Sequence, residues 1–274
     1  MFCDTLEAMP LFLTVIILGL IEGITEFLPI SSTGHLIVAE RILNFTDVKD
    51  IFTVVVQLGA IAAVLWFYRL DLIDKVRGLF AKRADALRFW KLIIIGTIPA
   101  CVVGAAVGSS LDNLSKPSVV GWALIIGGVI LWLADRQPVV QRNVKPVVEK
   151  ISTKQALLVG LGQCLAIIPG VSRSGATIVS GLTLGIDRPT ATALSFYLSL
   201  PVLFLASAYS LVKHPHAVSQ LDGGPGILLL GIVAAFITAL VSISLLLRYV
   251  SRHNFRPFAY YRIIVGILIL LFVH

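Results

Sequence analysis

The sequence predicts an all-α polytopic membrane protein, built as an inverted repeat of six transmembrane helices plus two re-entrant helical hairpins, ten helical segments in all. Three observations predict it. Of 274 residues 57% are hydrophobic and only 14% charged, with a mean hydropathy of +0.95. A soluble domain carries about 25% charge, and an exterior this poor in charge suits lipid. Apolar runs of spanning length alternate with short polar connections. Two stretches, Leu18–His35 and Val159–Ala176, also match each other at a fixed offset of 141 positions. At that offset Gly19 meets Gly160, Leu20 meets Leu161, Glu22 meets Gln163, Ser31 meets Ser172, Ser32 meets Arg173 and Gly34 meets Gly175. Residues 1–274 thus read as a single membrane domain, with 1–140 the first repeat and 150–274 the second, inverted one.

Residues 10–28 form an apolar helix with Glu22 and Glu26 one turn apart on the same face, and Pro29 ends it. Ser31, Ser32 or Thr33 caps a second short helix over residues 34–43. Neither piece is a comfortable span once the two acids are counted, so the pair reads as a re-entrant hairpin. Residues 51–69 make the first crossing. Gln57 within it faces protein, lining a cavity or sealing two helices, because an unpaired amide in hydrocarbon is costly. Trp66, Phe67 and Tyr68 match an interfacial aromatic belt. A basic segment with Lys75, Arg77, Lys82, Arg83 and Arg88 connects to a second crossing, 90–110, bent near Pro99. There Gly104 and Gly108 permit close helix packing. Asp112 and Lys116 mark a short connection to the third crossing, 118–134. The linker Asp135–Lys150, with Arg136, Pro138, Arg142, Lys145 and Pro146, divides the repeats. The second half repeats the order: a short helix at 153–168, the polar turn Pro169–Ser174, a short helix Gly175–Leu184, then crossings at 190–212, 226–248 and 257–273.

A hairpin that returns to its starting side leaves three crossings per half, and an odd number inserts the second half upside down. The charges agree. Of 22 Lys and Arg, 7 lie in residues 69–91, 5 in 136–154 and 3 in 248–256, all on one side by this count. That side is the cytoplasm, which puts both termini and the entrance of the first hairpin outside. The net charge of +7 is explained by this topology, without nucleic acid as a partner. Cys3, Cys101 and Cys164 have no framework spacing, so no disulfide is expected. The N-terminus, with Asp4 and Glu7 and no Lys or Arg, does not read as a cleaved signal.

Broken helices present unpaired N–H groups, so the two polar turns suit an anion inside the membrane. Glu22 and Glu26 are intramembrane acids, a functional signal in itself. Ser31, Ser32, Thr33 and His35 follow at once, and a hydroxyl there can attack phosphorus with His35 or a nearby carboxylate taking its proton. Ordinary capping by the serines and packing of His35 against the turn is the plainer alternative. Arg173 offers a fork shaped for phosphate oxygens, or an ion pair with Glu22 or Glu26. Ser172, Ser174 and Thr177 extend that cradle or simply cap the helix. Acid, hydroxyl and imidazole lie in one repeat and the cation in the other, so a site needs both. His214 and His216 read as surface histidines, and Arg69, Arg88, Arg136 and Arg248 as topology anchors.

The run Glu22-Gly-Ile-Thr-Glu26-Phe-Leu-Pro-Ile-Ser-Ser-Thr-Gly-His35, with Pro169-Gly-Val-Ser-Arg-Ser-Gly-Ala-Thr177, strongly resembles the bacterial undecaprenyl-diphosphate phosphatases of the bacitracin-resistance type. The resemblance covers essentially the whole chain. It implies an enzyme of the bacterial cytoplasmic (inner) membrane that hydrolyses undecaprenyl diphosphate to undecaprenyl phosphate and inorganic phosphate. Such hydrolysis recycles the carrier lipid for peptidoglycan and other envelope polymers. It also implies one active site facing the periplasm or exterior, catalytic roles for Glu22, Glu26, Ser32, His35 and Arg173, and a divalent cation. Ser32 is the preferred nucleophile, His35 its proton-transfer partner and Arg173 the phosphate clamp; direct water attack and a nucleophilic His35 stay open. Mg2+ or Ca2+ would be held by Glu22 and Glu26 through hard carboxylate oxygens, completed by the diphosphate. The partners expected are the lipid substrate, the bilayer and, as a further allowance, a second copy in a homodimer. Transport of the carrier lipid through the same inverted-repeat site is the alternative function, disfavoured because an anion carrier has little use for two carboxylates beside phosphate.

Overall fold

The computed structural model describes residues 9–47, 50–107, 116–135 and 146–273. The expectations for Cys3, Asp4, Glu7, Gly108, Asp112, Arg136, Pro138, Arg142, Lys145 and the two chain ends fall outside the described residues.

Pro10 precedes α1 (Leu11–Thr25), which is apolar apart from Thr14, Glu22 and Thr25. The chain turns through Pro29 into α2 (Ser32–Ile42). Next come α3 (Ile51–Phe67), α4 (Arg69–Phe80), α5 (Ala84–Val107) with Pro99 inside it, and α6 (Pro117–Ala134), opened by a proline whose missing N–H costs nothing in a first turn. A 3-10 turn at Val148–Lys150 leads to α7 (Thr153–Gln163), which starts in a capping box of Ser152 and Gln155 and tightens into a 3-10 turn, Cys164–Ile167. The chain then forms α8 (Arg173–Thr183), α9 (Arg188–Lys213), the short α10 (Ala217–Gln220), α11 (Gly224–Val250) and α12 (Arg256–Phe272). Both bounds of α8 stand 141 positions after those of α2.

The described residues are all-α, and their long apolar helices make this a multi-pass membrane protein. By length and composition α5, α6, α9 and α11 each suffice to cross, and α3 with α4 passes as a bent pair. The segment between the first two crossings is where the structure departs from the sequence reading: the basic connection is the helix α4, turned 74° from α3. Its charges concealed an apolar face. Leu70, Ile73 and Phe80 are exposed while Lys75 and Gly78 are buried, which gives an amphipathic helix suited to the bilayer surface. At its turn into α5, Arg83 bonds both Asp74 and Asp85.

Packing mixes the halves. The apolar core joins Phe27, Ala60 and Val64 to Ile178, Phe196, Ile243 and Phe255. Helix α1 lies against α11, and in corresponding positions of the second half α7 lies against α5. Glycines allow both contacts: a Cβ on Gly23 would stand 2.3 Å from the Ala235 carbonyl oxygen, and one on Gly160 would stand 2.4 Å from that of Gly96. Gly104 is different. Among the described residues nothing lies within 4 Å of its Cβ position, so they show no close packing at Gly104.

Candidate active site

The two polar turns share one backbone solution. Ser31 and Ser172 both have φ of 73°, a conformation L side chains avoid, and each caps the helix that follows. Ser31 Oγ accepts from the Gly34 N–H at 3.3 Å, and Ser172 Oγ from the Gly175 N–H at 3.0 Å. Strain of this kind persists only where surroundings enforce it, and it concentrates at functional sites.

Ser32, the first residue of α2, donates its hydroxyl proton to Glu26 Oε2. The other carboxylate oxygen, Oε1, takes Arg173 Nη2 at 3.2 Å, so a residue of each turn meets on one acid. Nη1 of Arg173 donates to the Ser195 carbonyl at 2.8 Å, which anchors the guanidinium to α9. Ser174 donates to the Leu28 carbonyl at 2.8 Å and lies 3.0 Å from Ser172 Oγ, stitching the second turn to the first. Thr177 donates to Ser195 Oγ at 2.7 Å behind Arg173.

His35 is placed elsewhere than beside Ser32. Its Nδ1 stands 2.7 Å from the Ser31 carbonyl, which only accepts, so Nδ1 carries the proton. In the neutral ring Nε2 then accepts from the Tyr261 hydroxyl at 2.7 Å, with the two rings stacked 5.6 Å apart. Of the two proton acceptors open for Ser32, the carboxylate of Glu26 is the one in contact. Thr33 and Gln57 are half-buried and form no hydrogen bond with this cluster among the described residues.

Burial singles out the same two stretches. Six buried side-chain nitrogen or oxygen atoms lack a hydrogen-bond partner among the described residues. Five of them belong to the two matched stretches: both oxygens of Glu22, both amide atoms of Gln163, and Nε of Arg173. An unpaired buried polar group costs about 1 to 3 kcal/mol, so five such atoms in the two stretches are expensive unless a ligand or water completes them. Glu22 is wholly buried, at 0% exposure. Its free oxygens, beside a Glu26 whose oxygens are both used, are hard donors that fit a divalent cation completed by phosphate oxygens and water.

The profile of the family described as "Bacitracin resistance protein BacA" matches residues 15–268, which contain both turns. The chain belongs to this family. Relatives match 93–95% of the chain. One named "Undecaprenyl-diphosphatase 1" from Paraburkholderia xenovorans is 49% identical over 93% of each chain. "Undecaprenyl-diphosphatase" from Nitrosospira multiformis is 46% identical over 95% of this chain and 94% of its own. "Undecaprenyl-diphosphatase 2" from Rhodospirillum rubrum is 46% identical over 93% and 92%.

Three residues bonded to the site or its turns escape a reading of motifs. Ser195 comes from α9, and Tyr261 and Arg262 come adjacent from α12, outside both stretches. Gln163 was visible as the counterpart of Glu22, and the signal that would have singled it out is an amide inside an apolar run.

Proposed function

We propose that this protein hydrolyses undecaprenyl diphosphate to undecaprenyl phosphate and inorganic phosphate at a site inside the membrane, with Ser32 as nucleophile. The observation that carries the reading is the Ser32–Glu26–Arg173 chain of bonds, which joins a hydroxyl, a base and a cation drawn from two distant segments. The names of these relatives supply the lipid. Ser32 Oγ attacks the terminal phosphorus and passes its proton to Glu26, while the bond from that phosphorus to the bridging oxygen breaks and undecaprenyl phosphate leaves. Glu26 gives that proton to the departing undecaprenyl phosphate, then takes one from the water that attacks the phosphoserine and returns it to Ser32 Oγ as the serine oxygen–phosphorus bond breaks and inorganic phosphate leaves. Arg173 turns its unpaired Nε, and an Nη group released from Glu26, onto the phosphoryl oxygens. Gly34 and Gly175 N–H groups hold the serines that cap each turn, so the backbone arrives already shaped for the anion. A Mg2+ or Ca2+ ion held by Glu22 and Glu26 would neutralise diphosphate charge.

The fuller architecture belongs to the same reading. Six crossings with two hairpins entering from opposite faces put the turns at midplane, with the site open to the periplasm and the tail leaving between helices. A homodimer is compatible with it. The deciding experiment uses purified wild type and Ser32→Ala with undecaprenyl diphosphate. Ser32→Ala is expected to release no phosphate while still binding the lipid, and acid-quenched wild type to carry phosphate in the peptide spanning residues 31–33. Turnover by Ser32→Ala without any adduct would replace the phosphoserine by direct water attack. Carrier-lipid movement in vesicles without hydrolysis by wild type would favour transport instead.

A further inference from the structure

We infer that Arg262 is a positioning residue that sets Ser32 and Arg173 on one phosphate by fastening the backbones of both polar turns to a single buried guanidinium. The inference rests on the phosphatase reading above. Arg262 is 1% exposed, in the middle of the protein, and forms no ion pair among the described residues. Every acceptor it meets is a backbone carbonyl. Nη1 donates to Pro29 at 3.1 Å, in the first turn. Nη2 donates to Gly170 at 3.2 Å and Val171 at 2.8 Å, in the second turn, and to Ala123 at 3.3 Å; Nε reaches Leu124 at 3.4 Å.

These partners explain the placement. A broken helix leaves its carbonyls without intrahelical donors, and in hydrocarbon each must be satisfied by protein. One planar fork with five N–H groups can serve two turns and α6 at once, whereas an ammonium presents its donors from one point. The surrounding sequence makes room for the fork. A Cβ on Gly127 would stand 2.0 Å from Nη2, and one on Gly175 would stand 2.7 Å from Nη1. Mere adhesion of α12 to α6 needs none of this, because Leu or Met would fill the space without burying a charge. What the guanidinium adds is a fixed relation between Pro29 and Gly170. Ser32 lies three residues beyond the one and Arg173 three beyond the other, so the relation between the turns sets the relation between nucleophile and clamp.

The test uses the full-length protein in detergent with Arg262→Gln, Arg262→Lys, Gly127→Ala and the double variant Gly127→Ala/Arg262→Lys. Gly127→Ala keeps every charge and pushes the fork off its carbonyls. For Arg262→Gln and Gly127→Ala, kcat per folded molecule is expected to fall about 100-fold, the scale of a 1 Å misplacement, with KM within about threefold. The double variant should lose no more than Arg262→Lys alone, since both changes break one contact. Hydrogen exchange gives a readout independent of activity: in Arg262→Gln, peptides covering residues 28–36 and 169–177 should both exchange at least about tenfold faster, with α11 unchanged. Wild-type kcat per folded molecule in Arg262→Gln and Gly127→Ala, multiplicative losses in the double variant, or faster exchange in only one turn would overturn the inference. Should wild type itself release no phosphate, the phosphatase reading fails while the exchange data still decide for or against the clamp.

Discussion

Arg173 commits each of its nitrogens to a different task. Nη1 is tied to α9, Nη2 to Glu26, and Nε is buried without a partner. Lysine keeps the charge but offers one compact donor, so it cannot hold Ser195 and Glu26 and still meet a phosphate. Arg173→Lys should therefore impair phosphate release, and Arg173→Ala should lose more than about 2 to 3 kcal/mol of transition-state stabilisation, read as the drop in kcat/KM of the purified variants. Near-wild-type kinetics for the alanine variant would reduce Arg173 to a brace. The legibility of the site follows from the same chemistry. Glu22, Glu26, Ser32 and Arg173 could be read from the chain because polar groups are conspicuous within apolar sequence and stand beside helix-breaking prolines. Arg262 stands six residues into α12, close enough to the basic turn before it to pass for a flanking charge. Only the packing of α12 on α6 carries it behind the turns. His35 was conspicuous beside the turn, yet its partner was not legible, since a three-residue spacing cannot tell a ring facing Ser32 from one drawn away by Tyr261.

Element boundaries depend on where prolines and caps stop a helix, and here the sequence was most informative. Pro29 and the polar turn Pro169–Ser174 mark ends that the structure keeps within a few residues, while the capping box of Ser152 and Gln155 that starts α7 was not read from the sequence. Helix α4 was hidden because its charges matched a loop, while its apolar residues face outward. Contacts between elements are harder to read than their ends. Gly23 and Gly104 look alike in an apolar run, but a Cβ at Gly23 would stand 2.1 Å from Thr238 Oγ1 and one at Gly104 would meet nothing within 4 Å. Gly23→Ala must push α1 off α11 and shift Glu22 and Glu26 with it. We expect it to destabilise the protein by about 1 to 3 kcal/mol and to slow phosphate release. Gly104→Ala should be neutral or slightly stabilising, since it only raises helix propensity. Thermal unfolding of the two variants in detergent checks the pair, and equal melting temperatures would refute the close-approach argument.

At the scale of the molecule, bonds between distant loops say which connections share an end. Lys75 pairs with Asp85 and Glu149, and Arg88 donates to the Ile151 carbonyl. Asp135 takes Arg188 and the Phe255 N–H. These bonds gather the start of α5, the segment before α7, the end of α6 and the starts of α9 and α12, the places where Lys and Arg are dense. Ala217 and Leu221, flanking Ser219, pack instead with Ile51 and Phe52 at the start of α3, the far end of that helix from Arg69. Basic connections resist export, so we propose that the gathered end is the cytoplasmic one and that the α9–α11 connection lies outside. In a chain whose native cysteines are replaced, Lys82→Cys and Arg252→Cys should resist a membrane-impermeant thiol reagent in intact cells and react after permeabilisation. Ser219→Cys should react without it. Labelling of Lys82→Cys and Arg252→Cys from opposite sides would break the count of three crossings per half. Labelling of both from outside, with Ser219→Cys protected, would keep the fold but turn it over, and the phosphatase would then face the cytoplasm.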